Sequence, residues 1–288
     1  MTVRGRRRIR GAGVLLALAC ALLSPIYLHA ATLAQVQNEV AGVIAHPALA
    51  DAGVGVCVAS IDRDEMIFRR NGALPLIPAS NMKLVTVATA LELLGPETAC
   101  PMGPRGPESL AELAAHILKP SDNDLAEALL AWLPAAVRRE DLTARQLCAE
   151  TWGERDLFLR GVRWLDGSGL SRASMMTPDF TVALLRWMHA HSRCAEVFEA
   201  ALPIAGVDGT LRTRMRGTPA CGRVRAKTGT LTGVSALSGY ARTRQGELLA
   251  FSVIMNGFWC DKHRARRLQD MVCVALVDFE RTDDGGGD

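Results

Sequence analysis

The spacing of apolar residues changes along the chain from a helical period to a strand period and back. Residues 31–45, ATLAQVQNEVAGVIA, carry their apolar side chains on one face of a predicted helix. The segments AGVGVCVAS and EMIFRR follow and predict a hairpin of two strands, with Asp62, Arg63 and Asp64 at its turn. The first part of the folded chain is therefore one helix and two strands.

Residues 80–201 show a helical pattern with stop signals. Four segments have apolar residues at helical spacing: SNMKLVTVATALELLG, SLAELAAHILKP, NDLAEALLAWL and TPDFTVALLRWMHAH. We expect the first to end at Gly95, the second at Pro120 and the third before Pro134, because proline does not continue a helix. The fourth begins with a Thr-Pro cap.

The strand pattern returns near the end of the chain. The segments RVRAKTGT, VSALSGYARTR and LLAFSVIMN predict three strands joined by the short links LTG and QGE, and a last helix is expected over 262–280. Two early and three late strands can share one sheet only if the two ends of the chain meet. We therefore expect an α+β fold, with a five-stranded antiparallel sheet flanked by helices plus an all-helical region.

This pattern also indicates a domain division. Residues 31–280 form one expected domain, in which an α/β part covers 32–80 and 202–280 and a helical part covers 81–201. Any cleft is expected between the two parts.

The two ends of the chain have compositions of their own. Residues 1–30 combine an arginine-rich head, an apolar run and small residues at the end, which predicts a cleaved secretory signal peptide and an exported protein without a stable membrane anchor. An uncleaved anchor and a lipid-modified Cys20 are the alternatives that this segment leaves open. At the other end, residues 281–288, RTDDGGGD, predict a disordered tail.

Removing the predicted leader changes the net charge of the chain and leaves seven of its cysteines. The leader carries five arginines and no acidic residue, so the formal charge moves from +3 to −2 and no clustered basic stripe remains. Nucleic-acid binding is therefore not expected. Seven cysteines remain, none of them in a Cys-x-x-Cys arrangement. In an oxidising compartment we expect some of them to pair, and the odd count leaves at least one free.

Two short motifs with hydroxyl and amine side chains precede predicted helices. In PASNMK, Ser80 and Lys83 lie three residues apart, so both side chains lie on one helical face within contact range. Lysine can act as a base when burial lowers its pKa, whereas arginine stays protonated. In KPSDND, Ser121 and Asn123 flank an aspartate just before a helix. Taken alone, each motif is also typical of ordinary helix capping.

A third motif lies on a predicted strand. Lys227-Thr228-Gly229-Thr230 places a glycine where a ligand backbone could approach closely, although a lysine on a strand edge is the simpler interpretation of this motif alone. Ser-x-x-Lys, Ser-x-Asn and Lys-Thr-Gly in this order form the signature set of the penicillin-recognising serine enzymes. The joint match points to serine acyl transfer.

Other possible catalytic or metal sites have weaker support in the sequence. No Gly-x-Ser-x-Gly or His-Glu-x-x-His motif occurs in the sequence. His189, His191 and Cys194 are close in sequence, but a two-residue spacing on a helix directs the histidines to different faces. We expect no metal there.

Three longer segments make the family resemblance more specific. DGSGLSR, LPIAGVDGTL and RVRAKTGTLTGVSALSGYARTRQGELLAFSVIMNG, at 166–172, 202–211 and 223–257, resemble the class C low-molecular-mass penicillin-binding proteins over nearly the whole chain after the leader. These are serine D-alanyl-D-alanine carboxypeptidases and endopeptidases of the bacterial cell wall. The resemblance implies a penicillin-binding-protein or serine β-lactamase-like fold, a periplasmic location, and no cofactor.

The resemblance also implies a role for each motif residue. Ser80 is expected to attack the D-Ala-D-Ala carbonyl, Lys83 to act as the base and Ser121 to relay a proton to the leaving amine. The backbone N–H groups of Ser80 and Thr230 are expected to form the oxyanion hole. Lys227 is expected to face the cleft and attract the terminal carboxylate. The implied partners are peptidoglycan stem peptides and β-lactams, and the implied substrate-binding residues are Asn123, Lys227, Thr228, Gly229 and Thr230.

One departure from the family pattern leaves an alternative open. Family members usually carry large extra domains between the first two motifs, whereas Ser80 and Ser121 are separated here by only about forty residues of chain. The chain resembles a compact form, and a peptidoglycan-binding protein without turnover is one alternative. A serine β-lactamase is less favoured, because a class A enzyme needs a deacylating glutamate near an asparagine. The segment around Glu154 does not provide one.

Overall fold

In a computed structural model, residues 1–2 and 31–281 are described. The helices are α1 (Leu33–Ile44), α2 (Met82–Leu94), α3 (Leu110–Leu118), α4 (Asn123–Ala136), α5 (Ala144–Gly153), α6 (Pro178–Ala190), α7 (Ala195–Ala201) and α8 (Lys262–Asp278). The strands are β1 (Gly53–Ser60), β2 (Glu65–Arg70), β3 (Ala99–Cys100), β4 (Glu108–Ser109), β5 (Val224–Leu231), β6 (Val234–Arg242) and β7 (Leu248–Asn256). All but the first two residues of the predicted signal peptide and all but the first residue of the predicted tail lie outside the described residues.

The two ends of the chain meet in one sheet, as the strand pattern predicts. Five strands lie in the order β2-β1-β7-β6-β5, and every neighbouring pair is antiparallel. β1 pairs with β7 along its whole length, from Gly53 opposite Asn256 to Ser60 opposite Leu249. The predicted α+β class and five-stranded antiparallel sheet are confirmed. The remaining strands, β3 and β4, form a small separate ribbon.

Helices cover both faces of the sheet. α1 and α8 pack together on one face over a core that includes Val56, Phe251 and Val272. The other core joins the helical block to the sheet, and α6 packs there against β1, β6 and β7. The Tyr240 hydroxyl on β6 donates to the Leu185 carbonyl of α6 over 2.8 Å. Helix α6, in the predicted helical part, therefore packs firmly against the sheet. The domain boundaries stay a prediction.

Three details of the helical block differ from the sequence pattern. Helix α4 continues through Pro134 to Ala136, although we expected it to stop earlier. Pro134 lies in the last turn, where only one helical hydrogen bond is lost and Arg139 donates to the Pro134 carbonyl over 2.8 Å. Helices α5 and α7 and the ribbon of β3 and β4 were not assigned as separate elements by the pattern.

The seven cysteines among the described residues are all unpaired, so the expected disulfides are not formed in this structure. Five of the seven are buried: Cys57, Cys100, Cys148, Cys194 and Cys273. Burial raises the pKa of the Cys57 thiol to about 12 and that of Cys100 and Cys148 to about 11. Such thiols pack as small apolar side chains and have little thiolate to react.

Within residues 31–281, no helix combines the length and the apolar character needed to cross a membrane.

Candidate active site

Ser80 lies in a tight turn that leads into α2. Residues Ala79–Asn81 form a 3-10 turn, and Ala79 has a φ of 46°, in the left-handed region that residues with a Cβ rarely adopt. A strained backbone persists only where its surroundings hold it in place. Here two glycines supply the close contacts, because a Cβ on Gly169 would lie 1.8 Å from the Ala79 carbonyl oxygen and one on Gly229 would lie 2.6 Å from that of Pro78.

Gly229 has a structural use that the sequence did not indicate, and its predicted contact with a ligand stays a prediction. The sequence suggested that a ligand backbone approaches it, whereas in the structure the approaching backbone is the chain's own nucleophile turn. A Cβ at Gly229 would also lie 3.1 Å from the Ser80 nitrogen. The glycine lets β5 press against the turn and so sets the position of Ser80 relative to the strand.

Lys83 lies one turn below Ser80 and is fully buried. Its Nζ is 3.2 Å from Ser80 Oγ, 2.7 Å from Asn123 Oδ1 and 2.7 Å from the Ser168 carbonyl oxygen. The last two atoms can only accept hydrogen bonds, whereas the serine hydroxyl can also donate. A neutral amine has two N–H donors and one lone pair, so this environment matches a neutral lysine that accepts the Ser80 proton.

Burial lowers the pKa of Lys83 to about 8, although the carboxylates of Glu127, Asp166 and Asp122 act in the opposite direction. About a tenth of the molecules then carry the neutral amine at pH 7, which is enough for general-base chemistry. The prediction that Ser80 and Lys83 lie within contact range is confirmed by the geometry.

The second motif forms the opposite wall of the site. Ser121 has a φ of 69° and lies half-buried at the cleft, while Asp122 caps α4 by accepting the Leu125 N–H over 2.9 Å. Asn123, the first residue of α4, turns its Oδ1 toward Lys83. The structure therefore brings Asn123 to the base, and its predicted contact with substrate stays a prediction.

A loop near Gly167 completes the environment of Lys83. Glu127 of α4 accepts the N–H groups of Gly167 and Ser168 over 3.0 and 2.9 Å, and the Ser168 carbonyl then points at Lys83. Asp166 holds the other side of the same loop, accepting from the Ser171 N–H over 2.7 Å. In the sequence, DGSGLSR carries only a family resemblance, and no local pattern indicates a role for Glu127.

β5 is the edge strand that faces Ser80. The Ala226 N–H leaves the sheet and donates to the Pro203 carbonyl over 2.9 Å. Backbone groups of alternate residues in an antiparallel strand point the same way, so the N–H groups of Thr228 and Thr230 also point away from β6. The direction of the Thr230 N–H agrees with its predicted place in an oxyanion hole.

Lys227 lies beneath the cleft lining, and its predicted contact with the substrate carboxylate stays a prediction. Its side chain is fully buried and its Nζ donates only to the neighbouring Thr228 carbonyl, over 2.9 Å. Burial, with a smaller contribution from the charge of Lys83, holds the pKa of Lys227 well below its ordinary value. Alternation along the strand places Lys227 opposite to Thr228 and on the same face as Gly229, the face that presses against the nucleophile turn.

The space between the motifs is a polar cleft of about 370 Å³. Its lining residues are Ser80, Ser121, Thr210, Thr213, Arg214, Thr228, Thr230 and Arg266. Hydroxyl groups dominate, and two arginines supply the positive charge. The structure thus brings together the predicted Ser80, Ser121, Thr228 and Thr230 and adds Thr210, Thr213, Arg214 and Arg266.

No sequence motif indicates that the four additional residues belong to the cleft. Thr210 lies two residues after Asp208, whose carboxylate pairs with Lys119 over 2.6 Å. The Thr210 hydroxyl lies 2.8 Å from the Thr228 hydroxyl. Arg266 comes from α8 and donates to Thr230 Oγ1 over 3.1 Å.

The weaker alternative sites receive no support from the described geometry. His189 lies against Tyr240 and His191 against Trp187, with ring centroids 6.0 and 5.8 Å apart. In the part of the chain that the structure describes, no group of three or more His, Cys, Asp or Glu side chains could hold a metal ion. Glu154 is exposed at the end of α5 and is not part of the cleft lining.

A serine beside a buried lysine, a second serine across a cleft and a Lys-Thr-Gly edge strand on an antiparallel sheet define the penicillin-recognising serine class. The family model for the D-Ala-D-Ala carboxypeptidase 3 (S13) family matches residues 36–100 and 107–278. The chain belongs to this family.

Curated relatives support the assignment over parts of their length. The chain is 47% identical to a D-alanyl-D-alanine carboxypeptidase of Actinomadura sp. (strain R39) over 119 residues, which cover 40% of this chain and 21% of that protein. It is 30% identical to D-alanyl-D-alanine carboxypeptidase DacB of Haemophilus influenzae over 186 residues, or 60% of this chain and 36% of that protein. The matches thus span well under half of these longer relatives.

Solved structures show the same fold. Penicillin-binding protein 4 (dacB) of Haemophilus influenzae, solved with a β-lactam, superposes with a TM-score of 0.70 at 15% identity, covering 81% of this chain and 98% of that one. The TLA-1 extended-spectrum β-lactamase superposes with a TM-score of 0.65 at 16% identity, covering 84% and 97%. Both resemblances concern the fold alone, so they do not choose between a peptidase and a β-lactamase.

Proposed function

We propose that the protein is a serine D-Ala-D-Ala carboxypeptidase or endopeptidase that acts on peptidoglycan stem peptides through an acyl-enzyme and also binds penicillin covalently. The observation that carries the proposal is the Lys83 Nζ, fully buried and 3.2 Å from Ser80 Oγ at the floor of an open polar cleft. A helix-capping serine with an exposed lysine would not give this arrangement.

The first half of the reaction forms the acyl-enzyme. Ser80 Oγ attacks the carbonyl carbon between the two D-alanines while its proton moves to the neutral amine of Lys83. The negative charge on the carbonyl oxygen is stabilised by the N–H groups of Ser80 and Thr230. The C–N bond then breaks as Ser121 donates its proton to the leaving amine of the terminal D-alanine and receives the proton held by Lys83, which becomes neutral again.

Water completes the cycle. It attacks the ester carbonyl and loses a proton to Lys83, which passes the proton to Ser80 Oγ as the ester bond breaks and the shortened peptide leaves. None of the residues that line the cleft is a carboxylate, and both oxygens of Glu127 are engaged by backbone N–H groups. Penicillin stays attached in such a site, because its leaving group remains tethered and the cleft provides no second base. This argument favours the peptidase over the β-lactamase.

The expected setting follows from the same proposal. Peptidoglycan is the partner, and its location outside the inner membrane requires export, as the leader-like residues 1–30 predict. We assign the protein to the periplasm. No cofactor takes part, because every proton transfer has a donor and an acceptor among Ser80, Lys83, Ser121 and water.

Penicillin labelling tests the acyl-enzyme. Purified protein incubated with a fluorescent penicillin should gain the mass of one penicillin, and peptide mapping should place it on Ser80. The Ser80→Ala variant should gain none, while Thr143→Ala, a change at the exposed start of α5 outside the cleft lining, should be labelled like wild type. Labelling of Ser80→Ala at the wild-type rate would overturn the assignment of the nucleophile.

Product analysis separates enzyme from binder. A muropeptide pentapeptide should lose its terminal D-alanine in the presence of wild-type protein, and cross-linked wall fragments show whether the endopeptidase reaction also occurs. Binding of the pentapeptide with no release of D-alanine over many hours would favour the alternative, a peptidoglycan-binding protein without turnover. Rapid hydrolysis of penicillin would favour a β-lactamase.

A further inference from the structure

The segment 202–211, LPIAGVDGTL, lies between the edge strand and the loop that carries Ser121. On the strand side, the Pro203 carbonyl accepts the Ala226 N–H over 2.9 Å, and the Thr228 hydroxyl donates to the Thr210 hydroxyl over 2.8 Å. The segment is therefore fastened to β5 near both of its ends.

The other side of the segment binds Lys119. The Lys119 Nζ donates to Asp208 Oδ2 over 2.6 Å and to the Leu202 carbonyl over 3.0 Å. The Lys119 carbonyl accepts the Thr210 N–H over 3.0 Å. The second oxygen of Asp208 accepts the Ile204 N–H over 2.8 Å, so the carboxylate is held by its own segment as well. Three contacts from segment 202–211 thus meet at one lysine.

Lys119 lies two residues before Ser121, in the short link between α3 and α4. Ser121 has a φ of 69°, a conformation that a residue with a Cβ keeps only where its surroundings hold it. Pro120 has no N–H to donate, and Asp122 restrains the chain after Ser121 by capping α4. The contacts of Lys119 restrain the chain before it.

We propose that Asp208, acting through Lys119, is a positioning residue that holds the Ser121 hydroxyl where it can protonate the leaving amine. Neither Lys119 nor Asp208 is part of the cleft lining, whereas Ser121 and Thr210 are. The inference rests on the proposed function for the reaction that Ser121 serves, and on the contacts of Lys119 for the residues. It gives segment 202–211 a role in the proton transfer.

The test compares two substrates that differ at the leaving atom. They are N-acetyl-D-Ala-D-Ala and the thioester in which sulfur replaces the scissile N–H, and both form the same acyl-enzyme on Ser80. When the C–N bond of the dipeptide breaks, the nitrogen must take a proton from Ser121. When the C–S bond breaks, the electron pair leaves on a thiolate, which is stable near neutral pH without that proton. Release of N-acetyl-D-alanine, the product common to both, gives kcat/KM for each substrate.

Asp208→Asn keeps the size of the side chain but removes its charge. The kcat/KM of the dipeptide should fall about tenfold to a hundredfold, the loss that a misplacement of about 1 Å produces. The thioester should keep most of its rate, and Ser121→Ala should show the same contrast. Asp208→Glu, which restores the carboxylate, should recover part of the dipeptide rate.

Lys119→Gln separates position from charge. It removes a positive charge, whereas Asp208→Asn removes a negative one, so a direct effect of charge on the anionic substrates would have opposite signs in the two variants. Loss of position lowers the dipeptide rate in both. Lys119→Gln also provides the same comparison if thermal melting shows that Asp208→Asn is unstable.

The matched control is Asp141→Asn, which weakens an exposed ion pair with Arg139. Both of its rates should equal those of wild type. An equal loss for dipeptide and thioester in Asp208→Asn would indicate a general structural role and overturn the inference. A dipeptide rate that stays at the wild-type value would overturn it as well.

The same measurements keep the two proposals apart. If wild type releases D-alanine and Asp208→Asn does so equally fast, the peptidase proposal stands and the role of Asp208 is excluded. If wild type cleaves neither substrate, the peptidase proposal fails, and labelling by a fluorescent penicillin, whose β-lactam nitrogen also takes a proton, tests Asp208. Labelling of Asp208→Asn about tenfold slower than wild type would then support its positioning role, and equal labelling would overturn it.

Discussion

The two sides of the cleft use lysine in opposite ways. On the helix side, Lys83 is buried yet surrounded by the Ser80 hydroxyl and two obligate acceptors, with its pKa near 8. On the strand side, Lys227 is buried with one backbone acceptor and a more strongly lowered pKa. The first environment suits proton transfer. The second holds a motif lysine against a backbone carbonyl, and its contact with the ligand stays a prediction.

The largest expected effect is the loss of the base. Lys83→Arg keeps the charge but not the ability to give up a proton, so acylation by penicillin should fall about 10²- to 10⁴-fold. Stopped-flow or quenched mass spectrometry measures the rate, and circular dichroism confirms the fold. Acylation of Lys83→Arg as fast as wild type would show that another group takes the Ser80 proton.

The second prediction concerns Lys227 and the free energy of unfolding. Lys227→Met keeps an unbranched side chain of similar size without charge, whereas Lys227→Arg forces a guanidinium into a buried site with a single acceptor. An uncompensated buried charge costs about 3–5 kcal/mol, so the arginine variant should be the less stable by roughly that free energy of unfolding. Urea denaturation gives the difference. Equal stabilities would mean that the side chain at 227 reaches the solvent of the cleft.

Gly229 tests the contact between the two sides. In Gly229→Ala the added methyl group would lie 2.6 Å from the Pro78 carbonyl oxygen and displace the nucleophile turn. Overpacking of this kind costs about 1–3 kcal/mol, and acylation should fall as well. Gly42→Ala is the matched control, because nothing lies within 4 Å of its Cβ and helix propensity favours alanine. If both variants behave alike, the strand does not hold the turn.

The smallest effect concerns Glu127. Removing its charge in Glu127→Gln removes a contribution that raises the pKa of Lys83, leaving Asp166 and Asp122 as the facing carboxylates. The pH at which acylation reaches half its maximum should therefore move to lower pH. Asp124→Asn, an exposed change in the same helix, should leave the midpoint in place. A midpoint that stays fixed in Glu127→Gln would limit this residue to holding the 167–168 loop.

The sequence predicted the fold better than the site. Alternating apolar residues placed the five strands, and the need for β1 to find a partner implied that it pairs with the end of the chain. Helix α4 ran past Pro134 because a proline in the last turn forfeits only one hydrogen bond. Local spacing also paired Ser80 with Lys83, since residues three apart on a helix are neighbours whatever surrounds them.

The remaining site residues depend on distant contacts. Arg266 is one of 29 arginines, and nothing in its local spacing indicates that α8 brings it to Thr230. Glu127 resembles any polar residue on a helix surface until the 167–168 loop folds over it. The direction of Lys227 follows from which face of β5 is covered, and that is decided by packing rather than by the motif.

The pH dependence of Ser80 acylation tests the central claim most directly, because it reports the proton state of Lys83 in the intact protein. The second-order rate with penicillin should rise with pH as the amine becomes neutral, fall about tenfold for each pH unit below pH 7, and reach half its maximum near pH 8, where the pKa of Lys83 lies. A rate that stays constant from about pH 6 to 9 would contradict the assignment of Lys83 as the base.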